Sequence, residues 1–171
     1  KHLVGPRAGN NRGCACVVHG QRREIAGQRE ASAGNGLEPG IAMGPLAHAR
    51  RVTAVDALVT DAVAKGARAI TGGERLGNRG YFYKPTLLAE VPDDADIANV
   101  EPFGPVALTR RFEDLDDAIA IANHLPYGLA SFAFTGSQRN ADQLIRRVES
   151  GIMAINHYGT SQPDTPFGGV K

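Results

Sequence analysis

The chain has 171 residues, of which 42% are hydrophobic, so it can bury the core of one ordinary globular domain but not of two. Lys and Arg total 19 against 18 for Asp and Glu, and like charges form no long runs, which excludes a nucleic-acid groove and a polybasic membrane patch. No apolar run approaches the length of a membrane span. The expected partner is therefore a small molecule or another subunit.

The two cysteines, Cys14 and Cys16, are separated by one residue. This spacing does not favour an unstrained disulfide and supplies too few ligands for a structural zinc, so we expect reduced thiols and no metal. Reduced thiols predict a cytoplasmic protein. Because the chain starts at Lys1 with neither an initiating Met nor a signal pattern, we expect it to begin inside a longer one.

Residues 1–33 carry no periodic apolar pattern, and glycines interrupt every possible helix in them. We predict an irregular segment here, with one short strand within residues 14–18. From Gly34 onward the pattern sharpens, and residues 34–171 are predicted to form an ordered domain.

The first clear element is a helix over residues 46–65, in which apolar residues recur at spacings of three and four. Gly66 stands where a C-terminal cap is expected. Residues 67–71 are predicted to form a short buried strand. Residues 81–88 form an aromatic-rich strand region that Pro85 interrupts.

The second half alternates strands and helices. We predict strands over residues 106–112, 129–135 and 151–155, a helix capped by Asp114, and a helix capped by Ser137 whose apolar face includes Ile145. This order is typical of an α/β fold with a parallel sheet and flanking helices in three layers. Sites in such sheets lie beyond the carboxyl ends of the strands. Asn156, His157 and Phe167 follow the last strand, so we predict a pocket there.

Several short motifs occur in residues 34–171 in a fixed order: Gly34-Asn35-Gly36-Leu37-Glu38-Pro39-Gly40, Met43-Gly44-Pro45-Leu46, Thr71-Gly72-Gly73, Tyr83-Lys84-Pro85-Thr86, Glu101-Pro102-Phe103-Gly104-Pro105, Asn123 with Tyr127-Gly128-Leu129, Ile155-Asn156, and Pro166-Phe167-Gly168-Gly169. Together they resemble the later part of the catalytic domain of the NAD(P)-dependent aldehyde dehydrogenase family. The stretch Asn156-His157-Tyr158-Gly159 is similar to succinate-semialdehyde members. Asn156 itself is predicted to fix the conformation of its loop.

The resemblance implies a role for each residue that matches a family motif. Glu101 is expected to hydrogen-bond the nicotinamide ribose of NAD or NADP, and Phe103 to pack near the nicotinamide. Phe167 is expected to line the aldehyde pocket, and His157 to help bind an acidic substrate. The resemblance also implies that the parent enzyme is a homo-oligomer.

By the same resemblance, Cys14 is the expected nucleophile. Its thiolate attacks the aldehyde, a hydride passes to the nicotinamide, and water releases the acid from a thioester. Arg12-Gly13 replaces the Gly-Gln of the family pattern before this cysteine. The coenzyme-binding half and the general base of the family lie outside the matching region, so we expect a fragment that is inactive alone.

Two alternatives stay open at this point. The chain is either such a fragment or a non-catalytic α/β module that binds a partner, and a low thiol pKa at Cys14 would favour the first. An acyl-phosphate reductase of related architecture is the other alternative, against which the Glu101 motif argues.

Overall fold

A computed structural model of the chain describes residues 14–15, 32–112, 114–159 and 163–171. The predicted irregular segment therefore lies mostly outside the described residues, and for residues 14–15 only the backbone is described. Contacts divide the chain into two compact units. The first holds the described residues as far as Arg111, and the second runs from Phe112 to Lys171.

The first unit is built on helix α1, Ala49–Ala64. The helix begins later than predicted because His48 is extended and caps it, its side chain accepting a hydrogen bond from the Arg51 N–H. Lys65 ends the helix, and Gly66 follows with a φ of 109°, as the sequence predicted. The apolar stripe predicted for this helix includes four buried residues: Val52, Val55, Val59 and Ala62.

The sheet of the first unit has four strands in the order β1-β4-β3-β2. They are β1, Cys14–Ala15; β2, Arg68–Thr71; β3, Thr86–Ala89; and β4, Val106–Arg111. Strands β3 and β4 are parallel, with Thr86 opposite Val106, and are joined through a short helix α2, Asp96–Asn99. Val55, Leu88 and Val106 are almost fully buried where α1 packs against this pair.

Two expectations for this sheet are wrong. Strand β2 is exposed and half-buried rather than buried, because it is an edge strand that pairs with β3 alone. The sheet is also mixed rather than parallel, since β2 runs antiparallel to β3 and β1 runs antiparallel to β4. The antiparallel pairing of β2 with β3 follows from the connection between them. Residues 72–85 contain no helix, and a parallel pairing would require a crossover connection.

The second unit contains a two-stranded parallel sheet of β5, Ala130–Ala133, and β6, Ile152–Ile155. Helix α3, Leu115–Asn123, precedes β5, and helix α4, Gln138–Arg147, connects the two strands. Asp114 and Ser137 cap the helices as predicted, each accepting a hydrogen bond from the backbone N–H three residues ahead. Ile145 was predicted to face inward but is 57% exposed, while Ala141 on the same helix is buried.

In the part of the chain that the structure describes, no helix is both long and apolar enough to cross a membrane.

Gly72 gives a matched test of close packing in the β2–β3 connection. Gly72 and Gly77 share a φ of 67°, but a Cβ on Gly72 would lie 2.2 Å from the Pro85 carbonyl oxygen, whereas a Cβ on Gly77 would meet nothing within 4 Å. We expect Gly77→Ala to lower the free energy of unfolding by about 1 kcal/mol from left-handed strain. Gly72→Ala adds a backbone clash and should cost about 3 kcal/mol. Urea unfolding followed by circular dichroism measures both, and equal losses would contradict the packing argument.

Asp61 predicts a dependence of stability on pH. Its carboxylate lies 2.8 Å from the Lys65 Nζ and accepts a 2.8 Å hydrogen bond from the Asp96 N–H, tying the end of α1 to α2. The Lys65 hydrogen bond, and then the Asp96 N–H, hold the pKa of Asp61 below its usual 3.8. A carboxyl whose pKa is depressed by folding stabilises the fold above its unfolded pKa and loses that contribution as pH falls through the folded pKa.

We therefore expect the stability advantage of the native chain over Asp61→Asn to be complete near neutral pH and to shrink below about pH 4. Urea midpoints measured across that range check this result. The exposed Asp164→Asn variant is the control, and a native-to-Asp61→Asn gap that does not change with pH would contradict the assignment.

Candidate functional site

The loop of residues 101–104 leads directly into β4 and carries the two predicted coenzyme contacts. Pro102 and Pro105 are buried, and the Pro105 carbonyl accepts a 2.8 Å hydrogen bond from the Thr86 N–H at the start of β3. Phe103 lies between these anchors and is 66% exposed. The loop is thus fixed at both ends while its aromatic side chain faces solvent.

Phe103 has a φ of 44°, in the left-handed region that costs an ordinary residue about 1 to 2 kcal/mol. Helix α1 holds it there. The Arg51 guanidinium donates a 3.3 Å hydrogen bond to the Pro102 carbonyl, and its central carbon lies 5.5 Å from the centroid of the Phe103 ring. Gly104 fits tightly against Val55, since a Cβ there would lie 2.5 Å from a Val55 methyl carbon.

Glu101 is half-buried, and its carboxylate makes no hydrogen bond or ion pair with any other described residue. A carboxylate without a partner offers acceptors to two vicinal hydroxyls, and an exposed ring offers a flat stacking surface. The Glu101 carboxylate and the Phe103 ring therefore fit the ribose and nicotinamide of NAD or NADP. The structure brings these two predicted residues together on one loop.

Cys14 lies elsewhere in the same unit. Its backbone pairs with Arg111, the last residue of β4, whereas the loop of residues 101–104 enters β4 at Val106. Five residues of strand separate the two ends, which is about 17 Å. The described pairing therefore does not bring Cys14 to the predicted coenzyme contacts.

The carboxyl ends of β5 and β6 carry Asn156, His157 and an aromatic cluster. Asn156 has a φ of 60°, and its side-chain amide accepts from the Thr135 N–H at 2.8 Å and donates to the Thr135 carbonyl at 2.9 Å. These hydrogen bonds join the carboxyl ends of the two strands. The predicted role of Asn156 in fixing the conformation of its loop is therefore confirmed. The Tyr158 ring centroid lies 4.9 Å from that of Phe134 and 5.9 Å from that of Phe132.

His157 is exposed beside this cluster, where its Nδ1 accepts a 3.0 Å hydrogen bond from the Gly159 N–H. The other ring nitrogen carries no hydrogen bond to the described part of the chain. An acidic group can therefore approach His157 from solvent.

Phe167 does not join His157, which corrects the predicted pocket. A Cβ on Gly151 would lie 1.7 Å from the Gly168 carbonyl oxygen, and Val170 donates a 3.2 Å hydrogen bond to the Gly128 carbonyl. Gly151 precedes β6, so the Phe167 segment lies at the amino ends of the strands, five residues or about 17 Å from Asn156. Phe167 thus lies at the other end of the strands from Asn156, although only eleven positions separate the two in the sequence. Phe167 is 56% exposed in this position.

Two arrangements at these sites were missed by sequence reasoning. The sequence shows Arg51 only as a charged residue on a predicted helix. Nothing in the sequence links it to Pro102, which is 51 positions away. Asn123 was recognised in a motif without a role. Its amide donates to the Arg147 carbonyl and accepts from the Glu149 N–H, and its own carbonyl accepts from the Lys171 Nζ, which also pairs with Glu149.

Comparison with known proteins gives a consistent result. The aldehyde dehydrogenase family matches residues 22–171. The 4-(hydroxymethyl)benzenesulfonate dehydrogenase of Comamonas testosteroni is 49% identical over 138 residues, covering 81% of this chain and 29% of that enzyme. The NADP(+) succinate-semialdehyde dehydrogenase of Deinococcus radiodurans is 38% identical with the same coverage of both chains.

Solved structures agree with these relatives. The succinate-semialdehyde dehydrogenase of Burkholderia pseudomallei superimposes with a TM-score of 0.81 at 35% identity, covering 85% of this chain and 30% of that one. The NAD-dependent aldehyde dehydrogenase of Sinorhizobium meliloti gives a TM-score of 0.80 at 34% identity, covering 85% and 29%. The chain thus spans less than a third of the length of each of these four relatives.

Proposed function

This chain belongs to the aldehyde dehydrogenase family, and on that premise we propose that it is a segment of the catalytic domain of an enzyme that oxidises an aldehyde to a carboxylic acid with NAD or NADP. The observation that carries the proposal is the loop of residues 101–104, where a carboxylate without a partner stands beside an exposed ring held in a strained conformation. Strained residues cluster at ligand-binding sites, and a carboxylate without a partner can accept hydrogen bonds from ribose hydroxyls.

The proposed substrate is an aldehyde that carries an acidic group, such as succinate semialdehyde. Support comes from the exposed His157, which follows β6 with one ring nitrogen open to solvent. Phe167 is the proposed apolar wall of the aldehyde pocket. Because Phe167 and His157 lie at opposite ends of β6, this chain does not bring both to one small aldehyde, and the two roles are separate proposals.

The proposed chemistry assigns this chain three tasks. The Glu101 carboxylate accepts hydrogen bonds from the ribose hydroxyls, and the Phe103 ring restrains the nicotinamide against rotation. The proposed nucleophile is the Cys14 thiolate, which attacks the aldehyde carbon to form a thiohemiacetal, and this step requires Cys14 to lie closer to the loop than its described pairing with Arg111 places it. NAD or NADP, held at Glu101 and Phe103, would supply the hydride acceptor that oxidation of this adduct to a thioester requires. Water then cleaves the thioester to release the acid and regenerate the thiol.

The rest of the proposal concerns the intact protein. We propose that the two units are parts of a larger three-layer catalytic domain with helices on both faces of its sheet. We also propose that the intact protein is cytoplasmic, because reduced thiols suit that compartment and the nucleophile must stay reduced. From the family resemblance, we propose that it is a homo-oligomer. The division of the chain into an irregular segment, residues 1–33, and an ordered domain, residues 34–171, remains part of this proposal.

Glu101 gives the direct test of the coenzyme loop. In the intact protein that carries this segment, we expect Glu101→Gln to raise the KM for NAD or NADP about tenfold, because a charge-assisted pair of hydrogen bonds becomes a neutral one. The KM for the aldehyde should not change. The control is Glu90→Gln, which alters an exposed ion pair with Arg68. An unchanged coenzyme KM in Glu101→Gln would remove the loop from the coenzyme site.

Activity tests the fragment and the nucleophile together. We expect the 171-residue chain alone to give no NADH or NADPH from succinate semialdehyde, because Glu101 and Phe103 address only the nicotinamide end of the coenzyme and the general base of the family lies outside the matching region. In the intact protein, Cys14→Ser should abolish turnover and Cys16→Ser should retain it.

Turnover by the chain alone would contradict the fragment assignment. Full activity of Cys14→Ser in the intact protein would exclude Cys14 as the nucleophile. That result would agree with the pairing of its backbone with Arg111, at the end of β4 that lies far from the coenzyme loop. An intact protein that binds no coenzyme would favour the non-catalytic module.

A further inference from the structure

We propose that Arg51 is a positioning residue that sets the conformation of the coenzyme loop, residues 101–104, and with it the affinity for the nicotinamide end of the coenzyme. The inference rests on the coenzyme role proposed above. It concerns how the loop is held, and Arg51 itself need not touch the coenzyme.

Arg51 makes two different contacts with two consecutive residues of the loop. The guanidinium Nη1 donates to the Pro102 carbonyl at 3.3 Å, and the guanidinium carbon lies 5.5 Å from the Phe103 ring centroid. The planar guanidinium suits this pair of tasks, because it donates in its own plane while it attracts the face of an aromatic ring. One side chain therefore fixes both the backbone before Phe103 and the orientation of its ring.

The loop needs such a restraint. Phe103 has a φ of 44°, where side chains other than glycine are disfavoured, and 66% of its surface is exposed, so little core packing holds it. Without Arg51, the Phe103 ring would lose its neighbour on one face and the backbone would lose the hydrogen bond at Pro102, which favours relaxation of Phe103 to a negative φ. The contacts from Arg51 are the described interactions that act directly on this strained residue.

Arg51 is itself well fixed. It lies in the first turn of α1, and its N–H donates to the His48 side chain that caps the helix. One turn further along, the buried Val55 packs against Gly104 of the same loop. The loop therefore rests on one face of α1, with Arg51 at its exposed end and Val55 at its buried end.

The position of Arg51 also leaves the ring usable. Arg51 lies over one face of the Phe103 ring, and the residue is 66% exposed, so the proposal assigns the opposite face to stacking of a flat nicotinamide. Arg51 then holds the ring in one orientation. Preorganisation of this kind raises affinity because the ligand does not have to order the loop when it binds.

The test compares three variants of the chain by NMR. Arg51→Met removes both contacts, Arg51→Lys keeps a donor and the charge but loses the planar group, and Arg50→Met is the matched control on the same helix, because Arg50 is exposed. Two properties are measured. The first is the nuclear Overhauser cross-peak between the amide and α protons of Phe103, which is intense only at positive φ because the two protons are then closest. Titration with nicotinamide mononucleotide, followed on the Phe103 ring resonances, gives a Kd for the nicotinamide end.

We expect Arg51→Met to lose the intense cross-peak and to bind nicotinamide mononucleotide about fivefold more weakly. Arg51→Lys should restore part of the affinity, and Arg50→Met should match the native chain. Methyl resonances of the buried Val55 and Val59 show whether α1 remains packed. If Arg51→Met disturbs these resonances, the comparison is made between Arg51→Lys and the native chain.

A Phe103 that keeps its positive φ and its affinity in the Arg51 variants would overturn the proposal. If the native chain shows no response to nicotinamide mononucleotide, the coenzyme role of the loop fails, which overturns the affinity part of the proposal. The Phe103 cross-peak would then still decide whether Arg51 holds the loop. Failure of the positioning role and failure of the proposed function are thus separate results.

Discussion

The packing of α1 against the parallel pair β3 and β4 is the interaction on which the first unit depends. Val55, Leu88 and Val106 meet there and are each at most 1% exposed. Burial of an apolar side chain of this size stabilises a fold by about 1.5 to 3 kcal/mol, so the few residues at this contact supply much of the stability of a small unit. The same contact fixes where the candidate coenzyme loop lies, because that loop connects directly to β4.

Helix α1 contributes to this unit with both of its ends as well as with its buried face. Near its start, Arg51 and Val55 contact the loop of residues 101–104. At its end, Asp61 and Lys65 bind the segment around Asp96. The helix therefore braces the connection between β3 and β4 at two points, the segment around Asp96 and the loop of residues 101–104. A strained residue such as Phe103 persists because its surroundings are held on several sides.

Close backbone approaches position the C-terminal segment of the second unit. Gly151 lies against the Gly168 carbonyl, and a Cβ on the buried Gly128 would lie 2.5 Å from the Glu149 carbonyl oxygen. Such approaches exclude any side chain, which explains why glycine stands at these positions. Lys171 then secures the segment through the Asn123 carbonyl and the Glu149 carboxylate. Phe167 is held at its place by its neighbours, while its own ring remains exposed.

The sequence by itself determined most of the local elements, two of the capping residues and the family. Helix periodicity, the caps at Asp114 and Ser137, the turn at Gly66 and the motif around Glu101 depend on residues close together in the chain, so they can be recognised without a fold. Tertiary structure alone decided the direction and burial of β2, the contact of Arg51 with Pro102 and Phe103, and the separation of Phe167 from His157. Each of these depends on which distant segments pack together, and the periodicity of a sequence records which face of an element is apolar but not which partner covers it.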